Sequence, residues 1–224
     1  MLVTTLNKAL FNEYGFSTVA TWSLNTQQKI ILVVSLDEIE YFKAILSDRY
    51  TVLPFSKESE DYISAIGDRQ KHLGFCEDNY RWQASRFSWK VFAMEEAFKA
   101  FKSESESEVT WLDADSVIKN NFDDWLKKIF SKEHAISFLG RAHKQLHAET
   151  GLINFRGTEG VEVFKKVLNI YKKLEIFDYN EWTDSYIYTS VFLYSRECFD
   201  ICAPNNVRSS NPLFELDGGK HIVH

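Results

Sequence analysis

Val109-Thr-Trp-Leu-Asp-Ala-Asp-Ser-Val117 is the stretch from which the rest of the chain can be read. Its first four residues are β-branched, aromatic or aliphatic and read as a short buried strand, and two carboxylates, Asp113 and Asp115, follow at once. In an open α/β sheet, ligands sit beyond the carboxyl ends of the strands, which is where this pair falls. Residues two apart on an extended backbone point the same way, so the spacing lets both carboxylates approach one hard cation. A divalent ion held by one or two carboxylates, with water and phosphate oxygens completing its shell, is the usual arrangement around a nucleoside diphosphate. The competing structural reading makes Asp115 the cap of a following helical turn.

Working outward, Leu2–Leu6 is β-prone and leads into a helical pattern from Lys8 to Trp22. Lys29-Ile-Ile-Leu-Val-Val-Ser35 is apolar on both faces, as a strand in a covered parallel sheet must be. Glu38–Leu46 reads as a helix. Arg81–Phe101 gives the clearest helical signal, because Phe87, Val91, Met94, Phe98 and Phe101 recur at three- and four-residue steps. Arg86 and Lys90 lie four apart and share a different face, from which both can point into a site. Downstream, His134–Leu139 and Gly151–Phe155 read as strands and Glu159–Leu174 as a helix, while the type of the aromatic-rich segment Asp184–Tyr194 is open. The alternation predicts an α/β sheet with helices on both faces.

Composition narrows the classes of function. The 224 residues are 45% hydrophobic, enough for one large domain spanning 1–224. A net charge of −6 spread along the chain leaves no basic stripe for nucleic acid, which is not an expected partner. The amino terminus lacks the pattern of a signal peptide, no apolar run has the length of a membrane span, and three cysteines (Cys76, Cys198, Cys202) fit a reducing compartment; the expectation is a cytoplasmic protein. Lys102–Glu108 alternates serine and glutamate and is expected to be a solvated loop. With 15% aromatic residues, most of Tyr14, Trp22, Trp89, Trp111 and Trp125 are expected in the core.

The block WLDADSV resembles the Asp-X-Asp motif of GT-A fold glycosyltransferases, in which an apolar strand delivers the pair to the donor. Arg81-Trp-Gln-Ala-Ser-Arg-Phe-Ser-Trp-Lys90 resembles the Arg-bearing helix upstream of that motif, and Glu149-Thr-Gly-Leu-Ile-Asn154 is similar to its Gly-containing strand on the acceptor side. Trp182-Thr-Asp-Ser-Tyr186 resembles the later acidic motif beside the reacting sugar, and Gly218-Gly-Lys-His-Ile-Val-His224 the carboxy-terminal histidine motif. The order of blocks is most similar to the retaining transferases of the glycogenin and bacterial galactosyltransferase type. In those relatives a Gly-X-Lys stretch follows the metal histidine, whereas this sequence stops at His224. Two readings stay open: a carboxyl terminus cut short, or diphosphate contacts made elsewhere.

The resemblance implies a Rossmann-like GT-A fold, a mostly parallel sheet flanked by helices, and a set of roles. Thr5 and Asn7 are expected to meet the nucleoside, Arg86 and Lys90 the diphosphate or donor sugar, and Asp113 both donor and metal. Asp113, Asp115 and His224 are the expected metal ligands, with His221 the fallback. Mn2+ and Mg2+ both suit the site, and a histidine ligand favours Mn2+. Asp184 and Glu149 are the catalytic candidates, since a carboxylate beneath the reacting carbon can stabilise an oxocarbenium-like state, act as a nucleophile or take the acceptor proton. The implied partners are a nucleotide diphosphate sugar and a carbohydrate or glycan acceptor. Asp113-Ala-Asp-Ser-Val117 also resembles the nucleophile motif of haloacid-dehalogenase-type phosphatases, although over a hundred residues precede it and the paired Asp123-Asp124 comes too soon. A third reading keeps the fold without the activity, as a sugar-nucleotide-binding protein.

Overall fold

The computed structural model describes residues 1–74, 79–101, 108–141, 146–193, 195–203, 212–217 and 220–223. Cys76, the Ser/Glu stretch over 102–107 and His224 lie outside the described residues. Along the chain come β1 (Leu2–Thr5), α1 (Lys8–Leu10), a π turn at Phe11–Gly15, α2 (Phe16–Asn25), β2 (Ile30–Val34), α3 (Ile39–Ile45), β3 (Tyr50–Pro54), α4 (Lys57–His72) and α5 (Ala84–Ala100). Then follow β4 (Glu108–Leu112), β5 (Val117–Ile118), α6 (Phe122–Ile129), β6 (Ile136–Leu139), β7 (Glu149–Arg156), α7 (Gly157–Lys172), α8 (Asp184–Phe192), β8 (Cys198–Asp200), α9 (Pro212–Asp217) and β9 (Ile222–Val223).

Seven strands form one sheet in the order β3-β2-β1-β4-β7-β6-β8, and β5 pairs with β9 in a separate ribbon. The sheet is mostly parallel, as expected. The exception is β7, which runs antiparallel to both β4 and β6. Every residue of β2 is buried, because helices cover both faces of the sheet. Strand alternation divides the core in two. Val3, Ile31, Val33, Trp111 and Phe155 face α4, α5, α7 and α8, while Leu2, Ile30, Leu32, Leu112 and Leu152 face α2, α3 and α6.

Some expected elements change their bounds, and the segment whose type was open is settled. The helix expected from Arg81 starts at Ala84, because Gln83 (φ −92°, ψ 57°) breaks it from a short 3-10 turn at Tyr80–Trp82. The strand expected at Gly151 begins at Glu149, which brings Glu149 and Thr150 into the sheet. The segment after Thr183 is a helix, with the Thr183 side chain accepting from the Tyr186 N–H at 3.1 Å as its cap. Burial pushes the Cys198 thiol up to about 11 and the Cys202 thiol up to about 12, so both behave as inert, ordinary side chains.

Candidate active site

The parallel strands β1, β2, β3 and β4 end at one edge of the sheet, and antiparallel β7 begins there. Thr5, Ser35, Phe55, Asp113 and Glu149 therefore line one cleft of about 810 Å3, within the usual size of a small-molecule site. The Asp113 N–H donates to the Gly151 carbonyl at 3.0 Å, and the chain then turns, with the Ser116 N–H donating to the Asp113 carbonyl at 3.0 Å. The two carboxylates thus sit on a β-turn, not on the extended backbone that their spacing suggests. No helix follows Asp115 directly, so the capping alternative fails.

One face of α2 holds this turn in place. Thr18 Oγ1 donates to the Ala114 carbonyl at 2.6 Å, and the buried Trp22 Nε1 donates to the Ser116 carbonyl at 2.6 Å. One turn further on, Thr21 Oγ1 accepts from the Ile118 N–H and Asn25 Nδ2 donates to the Ile118 carbonyl, both at 3.0 Å. Four side chains spaced along one helix face thereby satisfy the backbone that follows the apolar strand.

Asp113 Oδ1 accepts from Trp111 Nε1 at 2.6 Å and lies 3.2 Å from Lys90 Nζ. Lys90 Nζ also lies 2.6 Å from Asp184 Oδ2 and donates to the Thr150 carbonyl at 2.9 Å and to Thr150 Oγ1 at 3.1 Å. Thr150 Oγ1 in turn donates to Asp184 Oδ2 at 2.7 Å, and the Ser185 N–H donates to Asp184 Oδ1 at 2.8 Å. Asp184 is 2% exposed and begins α8, where a helix amino terminus favours a carboxylate. Burial alone would push the Lys90 ammonium down. Asp113 and Asp184 outweigh it, so the net shift is upward and Lys90 stays charged. Within the protein, its charge is paired with these two carboxylates.

Gly151 lies between two of these carboxylates: a Cβ there would lie 3.3 Å from Glu149 Oε1 and 3.4 Å from Asp113 Oδ2, so a side chain would have to push the Glu149 carboxylate aside by a few tenths of an ångström. Glu149 Oε2 accepts from the Leu213 N–H at 3.2 Å. Asp115 and Tyr14 line the same cleft. The Tyr14 hydroxyl is held above its ordinary value, first by burial and next by Asp115 and Asp113. Asp113 and Asp115 thus both face the Tyr14 hydroxyl across the cleft. The donor set, two carboxylates at one turn, suits a hard cation completed by phosphate oxygens and water. Among the described residues no group of three or more His, Cys, Asp or Glu is arranged to hold a metal.

The other expected residues fall as follows. Arg86 is exposed and lines the cleft. Thr5 and Asn7 line it too, with Thr5 Oγ1 donating to the Val33 carbonyl at 2.7 Å and Asn7 Oδ1 accepting from the Leu10 N–H at 2.9 Å as a helix cap. His221 is not among the residues lining the cleft; its Nδ1 lies 2.9 Å from the Asn120 carbonyl and its ring is stacked on Trp125. Asp123 of the Asp-Asp pair is tied to Thr26, Gln27 and Gln28, also away from the cleft, which removes the paired-Asp loop from the phosphatase reading. Trp22, Trp111 and Trp125 are buried, but Tyr14, Trp89 and Trp111 also line the cleft. Sequence reasoning missed Asp37, Thr150 and Arg141 as cleft residues. The carboxyl-end rule applied to β2 points to Asp37, whereas Arg141 follows a strand whose position at this edge depends on distant pairing.

No protein-family model matches the chain, and no curated protein matches it by sequence. Solved structures do. Mouse xyloside xylosyltransferase 1 superposes with a TM-score of 0.56 at 12% identity, over 89% of this chain and 83% of that one. The galactosyltransferase LgtC, solved with donor and acceptor sugar analogues, gives 0.56 at 9% identity, over 100% and 86%. The glycosyltransferase GlyE of Streptococcus pneumoniae TIGR4 gives 0.56 at 14% identity, and the match spans 54% of its length. With its sheet order and its cleft at the carboxyl edge, the chain has the fold of the GT-A glycosyltransferases.

Proposed function

We propose that this chain transfers a sugar, with retention, from a nucleotide diphosphate donor to a carbohydrate or glycan acceptor, in a reducing, cytoplasmic setting. The observation that carries the reading is the convergence of Asp113, Asp115, Glu149, Asp184 and Arg86 on one cleft beyond the carboxyl ends of β1 and β4. Thr5 and Asn7 lie at the end of β1, where the nucleoside is assigned. Arg86 presents a guanidinium suited to phosphate oxygens. Asp113 and Asp115 would hold Mn2+ or Mg2+, with His224 a further ligand on the strength of the resemblance. That ion supplies positive charge against the departing diphosphate. Asp184 is assigned to stabilise positive charge on the reacting sugar, its orientation fixed by Lys90 and Thr150. Glu149 stands second, across Gly151 from Asp113.

Linkage provides the test. Saturating nucleoside diphosphate together with Mn2+ should stabilise the protein by about 2.7 kcal/mol at one hundred times the dissociation constant. For a chain of this size that raises the melting temperature by about 5–10 °C, more than either ligand alone. Equal stabilisation in the presence of a chelator removes the cation from the reading. No stabilisation by any nucleotide removes the donor.

A further inference from the structure

The proposed transfer uses the buried Lys90 to orient Asp184, but its ammonium also lies against Asp113. Lys90 is 9% exposed, and its ammonium lies between the aspartate turn and the carboxylate of α8. We infer that Lys90 is an internal counter-ion that masks one oxygen of Asp113, leaving a divalent cation the other oxygen alone and weakening its binding when no donor is present. The inference rests on the reading that Asp113 and Asp115 hold a cation.

An ammonium has three N–H groups, and Lys90 Nζ lies within 3.2 Å of four acceptors, Asp184 Oδ2, Asp113 Oδ1 and the two oxygens of Thr150. None is left for a phosphate. Asp113 Oδ1 already takes the Trp111 indole N–H at 2.6 Å, so two donors occupy it. Asp113 Oδ2 is the oxygen beside Gly151, 3.4 Å from where a Cβ there would stand. Asp113 can therefore offer a cation a single oxygen while Lys90 stays in place. Charge leads in the same direction. Asp113, Asp115 and Asp184 would present like charges in a partly buried site, and Lys90 cancels one of them, which lowers the repulsion an incoming anionic diphosphate meets.

The sign of the effect separates this role from simple positioning. A residue that only oriented Asp113 would, when removed, weaken the cation. A counter-ion that masks Asp113 would, when removed, strengthen it. Calorimetric titration of the full chain with Mn2+ alone, without nucleotide, reads the difference. Lys90→Met keeps the stem and removes the charge, and it should bind Mn2+ about tenfold more tightly than the wild type, within the range of outer-shell effects on metal affinity. Because that variant leaves Asp184 buried without its partner, a second pair decides where it fails to fold. Lys90→Met/Asp184→Asn should bind Mn2+ about tenfold more tightly than Asp184→Asn alone. Unchanged or weaker binding in the folded Lys90 variants, with wild-type binding intact, overturns the inference and leaves the proposed transfer standing. No Mn2+ binding by any of the four proteins overturns both the inference and the cation's place in the transfer.

Discussion

Asp184→Asn should lower the turnover rate by about two to three orders of magnitude, the scale of a lost preorganised electrostatic contact. Donor affinity should change far less. The Asp184 charge matters when the sugar becomes cationic, so its removal acts on the transition state and not on the bound donor. The geometry sets the side effects. Asn keeps an oxygen for the Thr150 hydroxyl, but the Lys90 ammonium loses its nearer carboxylate and retains only Asp113. Breaking a buried pair costs about 3 kcal/mol, which chemical denaturation would show as a lower midpoint with an unchanged slope. Initial rates and donor titration on the same folded variant check the prediction. Loss of donor binding as severe as loss of rate places Asp184 on the donor, and Glu149 becomes the leading catalytic candidate.

Asp115→Asn should fail in the opposite order. Replacing an anionic ligand by a neutral one should weaken Mn2+ by about two orders of magnitude, equivalent to roughly 2.7 kcal/mol, and the donor should be lost with it. Turnover then falls because binding fails, and raising Mn2+ should recover part of it. Stability should change little, since Asp115 is only half-buried and the turn is held through the backbone carbonyls of Ala114 and Ser116. Titration of Mn2+ and donor alongside initial rates at several Mn2+ concentrations measures this. Unchanged Mn2+ affinity in the variant would move the cation away from the turn.

How far the site could be read in the sequence follows from which signals are local. β2 was legible because a strand covered on both faces must be apolar throughout, β1 and β4 because their short runs are β-branched, aromatic or aliphatic, and α5 because its apolar stripe repeats. β3 and α4 went unread. β3 is the edge strand beyond β2 and is mostly half-buried, while α4 buries only Ser59, Ile63, Ile66 and Gln70. The direction of β7 is set by its partners and not by its own residues, yet it is this reversal that brings Glu149 and Thr150 to the carboxyl edge. Arg86 and Asp184 were legible as charged residues in familiar blocks. The partners of Lys90 come from a strand 60 residues away and from a helix beyond it, and no local pattern encodes that junction. The β-turn under Asp113 and Asp115 depends likewise on α2 and on Gly151.

Most direct is an assay of sugar release from a panel of nucleotide diphosphate sugars, run on the wild type and on Asp115→Asn with Mn2+ or with a chelator. The proposed function predicts slow release from at least one donor by the wild type with Mn2+, its loss with the chelator, and its loss in Asp115→Asn at low Mn2+. Release that persists unchanged in the chelator and in Asp115→Asn, or donor binding with no release from any member of the panel, would contradict it.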